Sequence, residues 1–417
     1  MKLAVVGGGS TYTPELIDGL ATRSDPAIDE IVLVDPDAQR LAVVAGFCRR
    51  LLRSAGHPAR LRTTSDVVAA ATGASAVLLQ LRVGGQRARY GDETFPLDCG
   101  CIGQETTGAG GLAKALRTVP VVLDIAERVR AVAPQAWIVN FTNPVGIVTR
   151  ALLDAGHRAV GLCNVAITFS RWIAQLLDVE PESVRLEHTG LNHLTWVRGV
   201  RVGGRDVLPE LLASHADELA DHIGLPPGLL RRLGMVPSYY LKYFYAHDEV
   251  LAKQRNSPPR AAVVADVERD LLKRYADPSV TTKPQELTQR GGAYYSEAAV
   301  QLVHALTAGG PQEHVVNVRN GGTLPFLPDD MVVETNSTVD SSGARPLPVR
   351  PVEPALAGLI GHVAGYEQLA LDAALRGGRD RVADALLAHP LIGQHAVADQ
   401  LADELVQRNA AFLPWVR

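Results

Sequence analysis

The stretch "LAVVGGGSTYTPELI" sets three consecutive glycines between two different structural patterns. Leu3-Ala4-Val5-Val6 is a short, unbroken apolar run, as expected of a strand buried on both faces. Pro14-Glu15-Leu16-Ile17 opens a helical period, with proline in the first turn, where its missing N–H costs nothing. Gly7-Gly8-Gly9 must carry the chain from one to the other. A turn without side chains exposes the backbone N–H groups at a helix N-terminus, the usual seat of a dinucleotide's pyrophosphate. Gly7 and Gly9 match the first two glycines of G-x-G-x-x-G, and Tyr12 stands at the third position. That third glycine serves helix–strand packing, so Tyr12 changes the packing and leaves the anion site. Gly7, Gly8, Gly9 and Ser10 form the candidate cradle.

The pattern after the turn supports this reading. Apolar runs at Lys2 to Val6, Ile31 to Asp35, Ala59 to Thr63, Ala76 to Leu81, Ala136 to Phe141 and Ala159 to Cys163 alternate with helical periods such as Ala38 to Ser54 and Leu112 to Val132. Alternation of this kind predicts an α/β domain with a parallel sheet over residues 1–165. Asp35 closes the second run 26 residues after Gly9, near where an acid binds an adenosine ribose. Its plainer role is a turn cap with Pro36. Beyond Cys163 the rhythm changes: "RLEHTGLNHLTWVRGVRVGGRD" predicts antiparallel strands with a turn at Gly203-Gly204. Helical spacing follows at Ala293 to Leu306 and Pro354 to Leu375, giving an α+β domain over 166–417.

Composition narrows the function classes. A formal charge of −4 over 417 residues offers no electrostatic footprint for nucleic acid or an anionic membrane. No window nears the ~20 apolar residues of a membrane span. The first apolar run ends at Val6, too short for a signal-peptide core. Four cysteines in so long a chain fit a reducing compartment rather than a disulfide framework. The expectation is a cytoplasmic protein acting on a small molecule.

Several residues carry possible chemistry. Cys163 lies at the end of the sixth run, where ligand crevices open in such sheets, and His193 follows 30 residues later in "TGLNHLTW". A thiolate and an imidazole suit a borderline divalent metal and leave positions for substrate and water. Each also has an ordinary alternative, a buried cysteine and a histidine packed in a strand. Asn143 in "NFTNPVGIV" is either a helix N-cap before Pro144 or an amide facing nicotinamide and substrate. "IGQETTGAGG" (102–111) is either a polar active-site loop or a helix entry. "PSYYLKYFY" packs five aromatic residues into nine, including Tyr239 and Tyr240. A tyrosine beside a cation can lose its proton below its usual pKa of about 10 and act as a base.

Taken together, "VVGGGSTYTPELI", "IGQETTGAGGLAKALRTVP", "VNFTNPVGIVT", "GLCNVAI", "GLNHLTW", "YLKYFY", "RGGAYYSEAA" and "NVRNGG" resemble the family 4 glycoside hydrolases, most closely their 6-phospho-β-glucosidase branch. The resemblance implies a Rossmann-like N-terminal domain akin to lactate and malate dehydrogenases. It implies tightly held NAD⁺, which oxidises sugar C3 and is regenerated in each turnover, and a divalent metal, typically Mn²⁺. The resulting ketone acidifies C2–H, a base removes that proton, the aglycone leaves by elimination and water adds back. Such chemistry dispenses with the carboxylate pair of other glycosidases. On this resemblance Cys163 and His193 are the metal ligands and Tyr240 is the base. Asn143, Asn164, Arg89 and Arg260 contact the substrate or its phosphate, with Arg82 a further candidate. Asn164 stands where the α-specific branch carries an aspartate, which places the chain on the β side. The substrate is then a phosphoglycoside, and the assembly a homodimer or homotetramer.

Three alternatives differ in chemistry. A glycosidase for unphosphorylated sugars fits the loss of the acid in "PRAAVV", where the family carries R-A-x-E-V. A 2-hydroxy-acid dehydrogenase would release NADH and need no metal; Cys163 with His193 argues against it. A non-catalytic NAD-binding sensor would have no use for Cys163, His193 and Tyr240 together.

Overall fold

The computed structural model describes residues 1–22, 26–291 and 294–416. Its centre is one thirteen-stranded sheet. Six strands are parallel: β1 (Lys2–Val6), β2 (Glu30–Val34), β3 (Arg60–Thr64), β4 (Ala76–Leu79), β5 (Trp137–Asn140) and β6 (Ala159–Gly161). They lie in the order β3-β2-β1-β4-β5-β6, the dinucleotide-binding order whose direction reverses between β1 and β4. The remaining strands are β7 (Val184–Leu191), β8 (Leu194–Val202), β9 (Arg205–Asp206), β10 (Val236–Pro237), β11 (Gln312–Arg319), β12 (Val332–Asp340) and β13 (Gly343–Pro346). β11 joins β6 antiparallel, so the sheet continues as β6-β11-β12-β7-β8-β10 without a break. All four cysteines are free.

All six parallel strands appear where the apolar runs predict them, but four of them end short. The strands end at Val34, Leu79, Asn140 and Gly161 rather than at Asp35, Leu81, Phe141 and Cys163, with one further backbone hydrogen bond each from Asp35, Gln80, Phe141 and Leu162 to the neighbouring strand. The released residues form the loops at the carboxyl edge, where open α/β sheets bind ligands. The Ala38–Ser54 helix has the predicted bounds, its N-terminus capped by Asp37, whose carboxylate accepts the Arg40 N–H at 2.9 Å. The helix expected from Leu112 begins earlier, at Gly108. Its glycines serve close packing: a Cβ on Gly110 would lie 2.3 Å from the carbonyl oxygens of Asp92 and Gln104. The antiparallel pair with its Gly203-Gly204 turn is present as β8 and β9. Of the helix predicted from Ala293, the described part is Tyr295–Thr307, and Ala293 lies outside the described residues. The helix predicted over Pro354 to Leu375 spans Pro354–Arg376.

One buried ion pair locks the helices under the site. Asp92, on the Gly85–Asp98 helix, makes a two-pronged contact with Arg117 on the Gly108–Val132 helix, at 2.9 and 2.6 Å. Both side chains are 2% exposed, and Arg117 also donates to Asn409 Oδ1. Removing one partner leaves the other charge buried and unpaired. Asp92→Ala is expected to lower stability by about 3–5 kcal/mol, read as a lower urea midpoint. A shift corresponding to less than about 1 kcal/mol, the value of an exposed pair, would contradict this role.

Candidate active site

The glycine turn follows β1 directly. Gly7 and Gly8 donate their N–H groups to Val34 O at 2.9 and 2.8 Å, tying the turn to the end of β2. Gly7 adopts φ +88°, a conformation that suits glycine. A Cβ on Gly8 would meet Leu33 Cβ at 2.7 Å, and one on Gly9 would meet Asp35 Cγ at 2.8 Å. Asp35 Oδ2 accepts the Gly9 N–H at 2.9 Å and Oδ1 accepts that of Asp37 at 3.0 Å. Asp35 thus braces the turn while also lining the cavity, so its capping and ligand-facing roles coexist. Tyr12 packs edge-on against Tyr295 at 5.9 Å, and Tyr295 does the same against Phe141 at 5.1 Å. Aromatic packing takes the place of the third glycine's close helix–strand contact.

A cavity of about 1010 Å³ runs from this turn along the carboxyl edge of the sheet. Gly7, Gly9, Ser10 and Asp35 line one end; Arg82, Arg89, Asn143, Asn164 and Tyr240 line the rest. Asn143 is not a helix cap: the Val145–Asp154 helix takes Pro144 as its N-cap. The Asn143–Pro144 bond is cis. Asn143 Oδ1 is buried with no hydrogen-bond partner, an acceptor left for a ligand.

Cys163 sits just past β6, before the Val165–Leu177 helix, whose N-cap is Asn164. Burial pushes its thiol up, the nearby Glu334 carboxylate adds to this, and the N–H groups of Val165 and Asn164 and the Asn192 amide pull the other way. His193 is not in a strand. With Asn192 it forms the two-residue turn between β7 and β8, at φ +63°. A left-handed histidine is uncommon and costs of order 1–3 kcal/mol, a strain that marks functional positions. Its ring stacks on Tyr240 at 3.6 Å between centroids, 12° from parallel. Cys163 belongs to a buried apolar cluster against which Tyr240 also packs.

The tautomer of His193 follows from hydrogen-bond counting. The single Thr106 hydroxyl proton goes to Gln104 Oε1 at 2.8 Å, which also accepts the Thr106 N–H. Thr106 Oγ1 must then accept from His193 Nδ1, 2.9 Å away. The proton sits on Nδ1 and the lone pair on Nε2, the arrangement of a metal-binding imidazole. Burial holds the ring neutral, lowering its pKa to about 4. A thiol that can ionise and a neutral imidazole fit a borderline divalent cation. Among the described residues, no group of three or more His, Cys, Asp or Glu forms a closed cage. Tyr240 is held protonated, chiefly by burial and then by neighbouring Tyr239 and Cys163. A cation beside it would supply the missing opposite charge.

Further along, Glu105 gathers three cations. Arg82 pairs with it, Lys114 Nζ lies at 2.6 Å and Arg89 Nε at 3.2 Å. Arg89 also reaches Glu93 at 2.7 Å, so three cations face two carboxylates. The surplus positive charge suits an anionic ligand. Burial alone would raise the Glu105 pKa, but Arg82, Lys114 and Arg89 together hold it well below the usual carboxylate range. Arg260 is not among the residues lining the cavity; its guanidinium donates to Gln289 O at 2.5 Å. Sequence reasoning named no role for Glu105, Lys114, Glu268 or Arg290. Glu268 is held by Thr11, Arg40, Gln86 and Arg290, up to 257 residues away in the chain, and no local spacing signals such a contact.

Strand order and the glycine turn define a dinucleotide-binding fold of the Rossmann class. The descriptions "Family 4 glycosyl hydrolase" and "Family 4 glycosyl hydrolase C-terminal domain" match residues 2–179 and 188–392. The chain belongs to the family 4 glycosyl hydrolases. It is 36% identical to a probable 6-phospho-β-glucosidase of Bacillus subtilis, over 99% of this chain and 97% of that one. It is also 36% identical to the 6-phospho-β-glucosidase of Escherichia coli, over 99% and 96%. The Thermotoga maritima 6-phospho-β-glucosidase, solved with manganese, NAD⁺ and glucose-6-phosphate, superposes with a TM-score of 0.92 at 34% identity, covering 99% of both chains. A phospho-α-glucosidase of Clostridium acetobutylicum is more distant, at 27% over 99% and 98%. Malate dehydrogenase of Salinibacter ruber, 17% identical with a TM-score of 0.56 over 91% and 99%, shares the fold alone.

Gly9→Ala is expected to weaken NAD⁺ binding at least tenfold with an unchanged far-UV spectrum, because its methyl would displace the Asp35 carboxylate. Equal affinity in a fluorescence titration would refute the cradle.

Proposed function

We propose that this chain hydrolyses 6-phospho-β-glucosides with NAD⁺ and a divalent cation, Mn²⁺ by preference. The observation that carries this reading is the single cavity joining the glycine cradle, the residues around Tyr240 and the surplus-positive cluster at Glu105. Full-length similarity to 6-phospho-β-glucosidases exceeds that to the α-acting relative. When bound, NAD⁺ would accept and return a hydride at sugar C3, while the cation draws electron density from the adjacent sugar oxygens. Cys163 Sγ and His193 Nε2 would hold the cation, and Gly7, Gly9 and Ser10 would bound the pyrophosphate.

The remaining steps fall to this chain's own groups. Asn143 Oδ1 accepts a hydrogen bond from a sugar hydroxyl and so fixes the ring. Arg89, Arg82 and Lys114 bind the phosphate, the guanidinium forks matching its oxygens. With a cation bound beside it to favour its phenolate, Tyr240 Oη would take the C2 proton, its ring held in place by the His193 stack. Asn164 cannot donate a catalytic proton, which agrees with β rather than α specificity. In this reading residues 1–165 carry the nucleotide, and residues 166–417 complete the cation and sugar sites. The protein works in the cytoplasm as a homodimer or homotetramer, without nucleic-acid or membrane partners.

With NAD⁺ and Mn²⁺ under reducing conditions, 4-nitrophenyl 6-phospho-β-glucoside is expected to release nitrophenol without accumulating NADH. The unphosphorylated analogue should react at least a hundredfold more slowly. Stoichiometric NADH with a persistent ketone would identify a dehydrogenase instead, and equal rates on both glycosides would remove the phosphate role. EDTA should abolish the reaction and Mn²⁺ restore it.

Tyr240→Phe should lower kcat by about 10²–10⁴-fold, the usual contribution of a positioned base, with little change in substrate affinity. It should also stop wash-out of deuterium from C2 into solvent. Continued wash-out at the wild-type rate would assign the base elsewhere.

A further inference from the structure

Behind the paired donors lies a buried carboxylate that the reaction outlined above does not use. Glu334, in the middle of β12, is 1% exposed. Three donors from three parts of the sheet converge on it. His188 Nε2, on β7, lies 3.1 Å from Oε1. Asn192 Nδ2, in the β7–β8 turn, and Asn317 Nδ2, on β11, each donate to Oε2 at 2.8 Å. Among the described residues, no arginine or lysine makes an ion pair with it. A carboxylate buried this deeply is costly unless compensated. Hydrogen bonds from His188, Asn192 and Asn317 keep it ionised against that cost.

Its position relative to the donors is specific. Asn317, which donates to Glu334, also pairs in the sheet with Gly161, two residues before Cys163. Asn192 is joined covalently to His193 in a turn of only two residues. Two amides therefore tie Glu334 to both segments, Asn192 to the His193 turn through the backbone and Asn317 to the strand that leads into Cys163. A thiolate, a neutral imidazole and a divalent cation together leave one positive charge, which one buried carboxylate would balance.

We propose that Glu334 is a positioning residue for the cation site: through Asn192 it orients the His193 turn, through Asn317 it braces the strand that leads into Cys163, and its charge balances the bound divalent ion. This rests on Cys163 and His193 being the cation's ligands. A carboxylate behind a metal ligand, without touching the metal, commonly accounts for 10–100-fold in affinity.

The test measures binding of Mn²⁺ itself, by the loss of the free-ion electron paramagnetic resonance signal, on the full-length protein with NAD⁺ present. Glu334→Gln, which keeps shape and removes charge, is expected to weaken Mn²⁺ at least tenfold while leaving NAD⁺ affinity within twofold. Co²⁺ substitution supplies a second readout, with the thiolate-to-cobalt absorption band of the wild type shifted or weakened in the variant. Cys163→Ser should abolish that band. Were Cys163→Ser to bind Mn²⁺ as the wild type does, the ligand assignment itself would fall. Wild-type Mn²⁺ affinity and an unaltered cobalt band in Glu334→Gln, with Cys163→Ser deficient, would overturn the Glu334 proposal alone. If Glu334→Gln does not fold, Asn192→Ala leaves the carboxylate and cuts only its link to the His193 turn. A tenfold loss is expected there too, and wild-type affinity would again overturn the proposal.

Discussion

The architecture turns on one close approach, between Gly161 and Asn317. These residues form the antiparallel pairing that joins β6 to β11, and through it the parallel half of the sheet to the antiparallel half. A Cβ on Gly161 would lie 2.2 Å from Thr149 Oγ1 and 2.8 Å from Asn317 Cβ, so no other residue permits this contact. Cys163 lies two residues beyond Gly161, whereas Asn192 and His193 lie in a turn three strands away. Without the junction, the thiol at the end of the sixth strand and the imidazole of the β7–β8 turn would belong to separate sheets. With it, both stand on one sheet, the imidazole stacks on Tyr240, and Asn317 brings its own amide to Glu334.

Charge in the site is divided rather than pooled. Glu105 collects Arg82, Arg89 and Lys114; Glu268 collects Arg40 and Arg290; Glu334 has only amide and imidazole donors. Each carboxylate leaves a different balance in its part of the cavity. The cation-rich clusters at Glu105 and Glu268 suit anionic groups, and the carboxylate behind Cys163 suits a cation. In a region poor in water these differences are felt strongly, since screening there is weak. The same low dielectric explains why Lys114, buried beside Glu105, has its pKa lowered only to about 8: burial lowers it while the carboxylate opposes the change.

The parallel half was largely legible in the chain. Six apolar runs, a glycine turn and an acid after the second run predict the strands and the crevice, because each signal is local. Strand ends were less legible. Gln80, Phe141 and Cys163 are as apolar or as neutral as strand residues, so nothing in their type marks where each strand ends. The continuity of the sheet was invisible, since alternation identifies a strand but not its neighbour. The acids were harder still. Glu268 lies inside a helix and Glu334 inside a strand, with neither cap nor motif around them, and the partners that define them come from distant segments. Cys163, His193, Tyr240 and Asn143 could be singled out because uncommon residue types stood in recognisable contexts. Arg260 had the same warrant, yet its guanidinium binds the Gln289 carbonyl beside the cavity rather than lining it.

The β7–β8 turn shows how the fold tolerates a local violation. Glycine would adopt the left-handed conformation of His193 without strain, and a Gly already precedes the turn at position 190, with φ +147°. A side chain at Gly190 would collide with Leu194 O at 2.1 Å, so the hairpin closes tightly only because that position is bare. The chain thus relieves the turn at Gly190 and keeps the strained position for an imidazole. Long pairing of β7 with β8, the Thr106 contact at Nδ1 and the stack on Tyr240 then hold the ring in one orientation. Replacing His193 by glycine would ease the backbone and remove the nitrogen at the same time. Strain retained at a position where a permissive residue would serve the fold better implies that the imidazole, rather than the turn, is what this segment is built to present.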